Sequence, residues 1–297
     1  MIDFIFEFMV GCLEGISIVI IEFLAKILHF LKDRITGILS TQEQKILKQI
    51  HDQKPVVLFI TNYVTATDCA NIALAFGGSP IMADEEDEME EMAQIADALV
   101  LNIGTINNRT LKSMFIAGKT ANKKNIPIIL DPCGVGATQF RKDAVLSLLK
   151  TIKINVIKGN AGEISSVCEL CGVNVKHSTD KEIQSKSQGV DNNFNGKSEL
   201  LISEAQKLSK YLNCIVCITG KIDYIVSNDN IVNLHYGSKI MSKITGTGCM
   251  LNGVIACCCA VNNDYCLATK LACKIFGKKY YKLLQNHIKI AKTFNNI

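Results

Sequence analysis

The segment Thr245-Gly246-Thr247-Gly248-Cys249-Met250 stands at the start of an apolar run of helical character. Glycines let backbone amides approach a ligand closely, and the helix they open directs its positive end at an anion. That arrangement suits binding a phosphate and stabilising the charge that develops on it during transfer. An ordinary tight turn would use the same residues. The chain contains no GxxxxGK followed by Ser or Thr, so the segment is not a Walker A loop. Cys249 lies where a helix amino terminus lowers a thiol pKa. It either accepts a proton from an alcohol or only shapes the pocket. Transfer through a loose transition state asks for positioning more than for a strong base.

A second group is Lys158-Gly159-Asn160-Ala161-Gly162-Glu163. A carboxylate one turn into a helix, beside an amide side chain, can orient hydrated Mg²⁺ between nucleotide phosphates. Helix capping is the alternative, with Asn160 as the cap and Glu163 reaching back. Asp131 ends the apolar strand IPIIL and is a third acid suited to the same metal or its waters. Thr219 ends a core strand, where its hydroxyl can meet a phosphate or close the turn. The acidic run Asp84–Glu91 reads as a solvated helix start whose carboxylates complement the helix dipole.

These residues need a scaffold, and the chain from Val56 onward supplies one. Strands are expected at Val56–Ile60, Ser79–Met82, Ala98–Asn102, Pro127–Leu130, Asn155–Ile157 and Ile215–Thr219. A pair at Tyr224–Ser227 and Ile231–Leu234 follows. Helices are expected near 41–52, 64–76, 86–96, 109–124, 141–150, 162–171, 199–212, 248–261 and 264–285. Short apolar runs separated by helices indicate crossover units and an α/β fold with a largely parallel sheet. Such sheets bind ligands beyond the carboxyl ends of their strands. Polar or Gly-rich clusters follow five of the strands: Thr61-Asn62, Asn102-Ile103-Gly104-Thr105, Asp131-Pro132, Gly159-Asn160 and Thr219-Gly220. They would line one edge of the sheet. Residues 176–198 lack apolar periodicity and read as a solvated loop insertion.

The 297 residues, 48% of them hydrophobic, suffice for one large domain over 37–297. A net charge of +4 spread over the chain, with no Trp, does not describe a nucleic-acid surface. Thirteen cysteines without an evident signal peptide point to a reducing, cytoplasmic setting rather than a disulfide framework. Cys168/Cys171 and Cys214/Cys217 have CxxC spacing, but no partner pair completes a zinc site. The apolar stretch within residues 1–36 is interrupted by Glu7, Glu14, Glu22 and Lys26. Its longest uncharged run is shorter than the ~20 residues of a span. An amphipathic helix docked on protein is expected, in preference to membrane contact.

In order along the chain, ITNYV (60–64), GGSPIMA (77–83), EEMAQIADALVLNIGT (90–105), LDPCGVGAT (130–138), KGNAGEI (158–164), TGKIDYI (219–225) and KITGTGCML (243–251) resemble the hydroxyethylthiazole kinase family. The resemblance covers roughly residues 40 to 285. It implies the three-layer ribokinase-like fold and ATP- and Mg²⁺-dependent phosphorylation of 4-methyl-5-(2-hydroxyethyl)thiazole in thiamine synthesis or salvage. It also implies a homotrimer with active sites at subunit interfaces. By motif, Asn62, Met82 and Gly246 would line the thiazole pocket. Lys158, Asn160 and Thr219 would meet ATP, Asp131 and Glu163 would serve the metal, and Cys249 would face the reacting hydroxyl within the Gly246–Gly248 amide loop. The family usually has Arg where Lys158 stands, and lysine keeps the charge without the bidentate fork. A hydroxymethylpyrimidine kinase and a dehydratase repairing hydrated nicotinamide cofactors share the fold. The dehydratase relatives usually carry Asp at the position of Cys249, and the ITNYV and SPIMA segments favour the thiazole. A catalytically silent scaffold is disfavoured because Asp131, Glu163 and the TGTGC loop are all present.

Overall fold

The computed structural model describes residues 39–173, 198–228, 230–237, 241 and 244–278. The amino-terminal extension over 1–36 and nearly all of the 176–198 insertion lie outside them. In chain order the elements are α1 (Thr41–Gln53), β1 (Val56–Ile60), α2 (Ala66–Phe76), β2 (Ser79–Met82), α3 (Met89–Ile95), β3 (Ala98–Asn102) and α4 (Asn108–Lys124). There follow β4 (Ile128–Asp131), a 3₁₀ turn (Val135–Ala137), α5 (Gln139–Thr151), β5 (Val156–Asn160), α6 (Ala161–Leu170), α7 (Ser198–Leu212), β6 (Ile215–Thr219), β7 (Asp223–Ser227), β8 (Asn230–Leu234) and α8 (Thr247–Ala260). Residues 265–278 form a further helix.

Local chemistry sets most of these ends. Ser40 and Glu43 form a capping box at α1, as do Asn107 and Thr110 at α4 and Asn160 and Glu163 at α6. α2 stops at Gly77, whose φ of 100° is open to glycine at no steric cost. The acidic run behaves differently from the sequence expectation. α3 begins only at Met89, and Asp84 instead leaves the helix to pair with Arg109 at 3.0 Å. A partner on α4 outcompetes the weak field of a short helix end.

The sheet runs β2-β1-β3-β4-β5-β6-β7-β8, parallel from β2 to β6 and antiparallel across β7 and β8. Strand alternation divides the core in two. Leu58, Ile60, Leu99, Leu101, Ile128, Leu130 and Ile157 pack against α3 to α7 on one face. Val57, Phe59, Val100, Ile129, Val156 and Cys217 pack against α1, α2, α8 and the 265–278 helix on the other. This is a three-layer α/β architecture. The chain leaves β1 for β2 on one side and then crosses to β3 on the other, so the strand order reverses between β1 and β3. A crevice opens at such a reversal, beyond the carboxyl ends of the strands.

At β4 and β5 the boundaries differ from the sequence expectation because register, rather than composition, decides them. β4 runs to Asp131 because Asn102 of β3 pairs alongside it. β5 continues through Lys158, Gly159 and Asn160 because β6 stays in register as far as Thr219. Among the described residues the cysteines are free thiols, and Cys257, Cys258 and Cys259 are buried in α8. Burial pushes Cys257 up to about 12, so these thiols behave as small apolar residues.

Asp223 begins β7 almost fully buried, accepting the Gly220 N–H at 2.9 Å. Burial raises its carboxyl from 3.8 to about 6, against the Gly220 bond and the Lys158 charge. A carboxyl raised on folding favours the native state while protonated, and that contribution is lost as pH rises from about 4 through 6. Asp223→Asn keeps an acceptor for Gly220 without the charge. We expect it to stabilise the fold at pH 7 by about 2 kcal/mol, the advantage shrinking towards pH 4, as thermal melts across this range would show.

Candidate active site

Neighbouring strands deliver three polar residues to one row. Asn102 pairs with Asp131, and continuing the Leu130–Ile157 register brings Lys158 beside Asp131. All three follow by two residues from Val100, Ile129 and Val156, so they point to the same face, the one covered by α8. Position along the strand thus carries the row out of the core and up to the amino-terminal end of α8.

Asp131 is the hub. Its Oδ2 accepts from Asn252 Nδ2 at 2.6 Å, Asn102 Nδ2 at 2.7 Å and Lys158 Nζ at 3.0 Å. Asp131 and Lys158 are 2% and 3% exposed, so this is a buried ion pair whose charges are hydrogen-bonded on both sides. Burial pulls Lys158 down, but the charges of Asp131, Cys249 and Glu163 outweigh it and hold the ammonium well above its usual pKa. Lys158 also donates to the Gly248 carbonyl at 2.9 Å. One side chain therefore ties the β4 acid to the first turn of α8.

α8 starts at Gly246, with φ of 84° and no side-chain cap. A Cβ at Gly246 would collide with the Thr65 side chain, so the close approach of this turn to α2 excludes any other residue. The first intrahelical bond runs from Met250 N–H to the Gly246 carbonyl. Among the described residues, the N–H groups of Thr247, Gly248 and Cys249 meet no intrahelical acceptor and no side-chain cap, and a helix end of this kind favours an anion.

Cys249 is half-buried at this end. Its Sγ lies 3.3 Å from both Asn62 Nδ2 and Asn102 Nδ2. A hydrogen bond with Cys133 lowers its pKa most, to about 7, helped by Lys158 and Thr65 and opposed by burial and the Asp131 charge. Cys133 itself is pushed far above the usual thiol range by the same bond and by burial.

Glu163 closes the far side. Its Oε2 accepts the Asn160 N–H at 2.8 Å and its Oε1 the Gly134 N–H at 2.9 Å. The carboxylate thus completes the capping box and ties down the loop after β4. Burial first, and the Asp131 charge second, raise its pKa against Lys158 and the two backbone donors. The Thr219 hydroxyl donates to the Gly159 carbonyl at 3.3 Å, bracing the adjacent strand ends. Met82 ends β2 at the sheet edge, partly exposed and paired in register with Phe59.

Sequence reasoning missed Asn252, a lone polar residue inside an apolar helix three positions after Cys249. It also passed over Asn102, Thr65 and Cys133 as individual site residues. Asn102 was visible only as part of a strand-end cluster. Nothing in the sequence marks Thr65, and Cys133 stands unremarked within LDPCGVGAT, because their roles arise from packing against segments far away in the chain.

The model of the hydroxyethylthiazole kinase family matches residues 47–289. The chain belongs to this family. A hydroxyethylthiazole kinase of Clostridium tetani is 46% identical over 223 residues, covering 75% of this chain and 78% of the relative. The structure of a hydroxyethylthiazole kinase from Pyrococcus horikoshii OT3 superposes with a TM-score of 0.72 at 32% identity, covering 83% of this chain and 87% of that one. A ribokinase-like superfamily protein from Enterococcus faecalis V583 shares the fold, with a TM-score of 0.53 at 11% identity over 77% of this chain and 79% of that one. The fold of this family member is therefore ribokinase-like.

The ion pair sets an expectation for stability. Lys158→Met strands the Asp131 charge in the interior and should lower unfolding free energy by about 3 kcal/mol. Adding Asp131→Asn removes the stranded charge and should return much of that loss in urea unfolding. A further loss in the double variant would contradict the pairing as the source of the effect.

Proposed function

We propose that this chain transfers the γ-phosphoryl group of ATP to the primary hydroxyl of 4-methyl-5-(2-hydroxyethyl)thiazole, in thiamine biosynthesis or salvage. The observation that carries this reading is the uncapped end of α8 beside the Asp131–Lys158 pair, at the point where the strand order reverses. Family membership selects the alcohol, and the geometry accounts for the transfer.

In this reading the Thr247, Gly248 and Cys249 amides gather the equatorial oxygens of the travelling phosphoryl group, with Gly246 and Gly248 admitting it closely. The alcohol oxygen attacks phosphorus, the bond to the ADP oxygen breaks, and the hydroxyl proton passes to the Cys249 sulfur. Asn62, Met82 and Gly246 line the thiazole side, whereas Asn160 and Thr219 border the nucleotide side. Lys158 acts from beneath: buried and bonded to Asp131 and the Gly248 carbonyl, it fixes the amide loop and adds positive field.

Glu163 and Asp131 fit a magnesium ion held largely through water. Asp131 Oδ2 already accepts three donors, each Glu163 oxygen accepts one backbone N–H, and their like charges are only partly offset by Lys158. Mg²⁺ keeps several waters and takes few protein carboxylates, so this donor set suits it. Bound with ATP, the ion would neutralise phosphate charge and ease departure of ADP.

We further propose a homotrimer in the cytoplasm with sites at subunit interfaces. Tyr63 and Val64, 64% and 67% exposed directly beside Asn62, are the apolar surface a second copy would cover. Among the described residues no helix is long and apolar enough to cross a membrane.

A coupled ADP-release assay should give turnover with the thiazole alcohol and little with a hydroxymethylpyrimidine; equal turnover of the pyrimidine would overturn the substrate assignment. Glu163→Gln should lower kcat about 100-fold while leaving thiazole affinity nearly unchanged by calorimetry. The reverse pattern would remove Glu163 from the phosphate side.

A further inference from the structure

Two asparagine amides in the crevice have no freedom to turn. Asn62 Oδ1 accepts from the Thr65 N–H and the Thr65 hydroxyl, both at 3.0 Å. Its Nδ2 must therefore face the other way, towards Asn102 Oδ1 at 3.1 Å and Cys249 Sγ at 3.3 Å. Asn102 Oδ1 accepts from the Gly104 N–H at 2.8 Å as well as from Asn62, and its Nδ2 donates to Asp131 Oδ2 at 2.7 Å and to Cys249 Sγ at 3.3 Å. A backbone N–H only donates and a carboxylate only accepts, so flipping either amide would set donor against donor and acceptor against acceptor. Gly104 leaves room for this pair, since a Cβ there would press on Asn102 and Asn62.

The consequence falls on the sulfur. It faces two N–H donors whose direction is set by groups that cannot reverse their roles. We infer that Asn102 is a positioning residue that holds the Cys249 sulfur as a proton acceptor, a thiolate aimed into the crevice. Asn102 suits the part better than Asn62, because it is 1% exposed and its Nδ2 bridges Cys249 to the Asp131 hub. Charge-assisted bonds to sulfur favour the ionised form in the way that amide donors favour any anion.

The surroundings of the sulfur divide in sign. Lys158 below it and the Thr65 hydroxyl from α2 favour the thiolate, as does the bond with Cys133 from the loop after β4. Asp131 from β4 and burial work against it. Cys69 from α2 is raised to about 11 and stays a neutral thiol, and the charge of Glu163 from α6 interacts with those of Asp131 and Lys158. The two amides add donors at 3.3 Å to a sulfur that Cys133, Lys158 and Thr65 also favour as thiolate, against an acid and desolvation.

The inference rests on the proposed transfer reaction only for the purpose of the thiolate; the thiolate itself can be read without substrate. Iodoacetamide alkylation of Cys249 in the full native chain, followed by mass spectrometry against pH, should show a midpoint near neutrality. Asn102→Ala and Asn102→Ser, checked for unchanged melting, should move that midpoint up by about one unit, so that the rate at pH 7 falls about fivefold. The acid limb of kcat for the thiazole alcohol should move in the same direction, with KM changed less. In a Cys249→Ser background, Asn102→Ala should leave the acid limb of kcat where it stands, because its route through sulfur is gone; any fall in plateau kcat there reports the lost bond to Asp131.

An unmoved alkylation midpoint in folded variants overturns the inference, as does a shift of the kcat acid limb by Asn102→Ala that persists in the Cys249→Ser background. Should both Asn102 variants unfold, the parent chain still decides: a Cys249 midpoint above 9 excludes a held thiolate. A shifted alkylation midpoint with an unshifted kcat profile would support the donor role and overturn the assignment of Cys249 to the reacting hydroxyl.

Discussion

A carboxylate buried at the end of a central strand is stable only if its charge is answered, and Asp131 is answered from three directions. Lys158 brings the opposite charge from β5, Asn102 an amide from β3 and Asn252 an amide from α8. Removing two ions from water costs several kcal/mol each unless geometry and further hydrogen bonds compensate. The compensation here consists of groups from three separate elements, so the same bonds that make the charge tolerable also fix those elements against one another. The Gly248 carbonyl completes the arrangement by accepting a hydrogen bond from a second N–H of Lys158. The helix start that offers its amides to a phosphate is thereby held at a set distance from the acids across the crevice.

The two-faced core explains why this knot lies where it does. Val100, Ile129 and Val156 pack under α8, and two residues further along each strand the same face runs out of core and into the crevice. Strand alternation thus converts an apolar stripe into a polar row without a change of direction. The reversal of strand order between β1 and β3 opens the space into which that row points. Arg141 of α5 reinforces the rim, donating to the carbonyls of Ile103, Gly104 and Cys133 at 2.7 Å and so joining the loops after β3 and β4. Rigid loops at this edge are what a reaction governed by positioning requires.

The many cysteines divide by environment rather than by spacing. Cys168 and Cys214, from different CxxC pairs, are both raised to about 12 by burial, and Cys217 lies 3.6 Å from Cys273 within the core. Cys249 alone among the described cysteines is lowered, chiefly by its bond with Cys133 and with help from the Lys158 ammonium and the Thr65 hydroxyl. Composition could not separate these cases.

Much was legible in the chain itself. Short apolar strands alternating with helices specify a parallel sheet, since only crossover connections can join parallel neighbours. Gly246 and Gly248 before an apolar run, Asn160 and Glu163 at capping-box spacing, and Asp131 at a strand end are local patterns with local causes. Strand ends and partners were different. That β5 extends to Asn160, that Asp84 turns from its own helix to Arg109, and that Lys158 faces inward to Asp131 all depend on register with elements tens of residues away. Asn252 carries no sequence signature, and Cys133 shows only as one letter of the LDPCGVGAT segment. Residue order along a chain dictates which groups can cap, turn or alternate; only the folded sheet decides which of them stand within hydrogen-bonding distance, because burial and register are properties of pairs of segments rather than of either one.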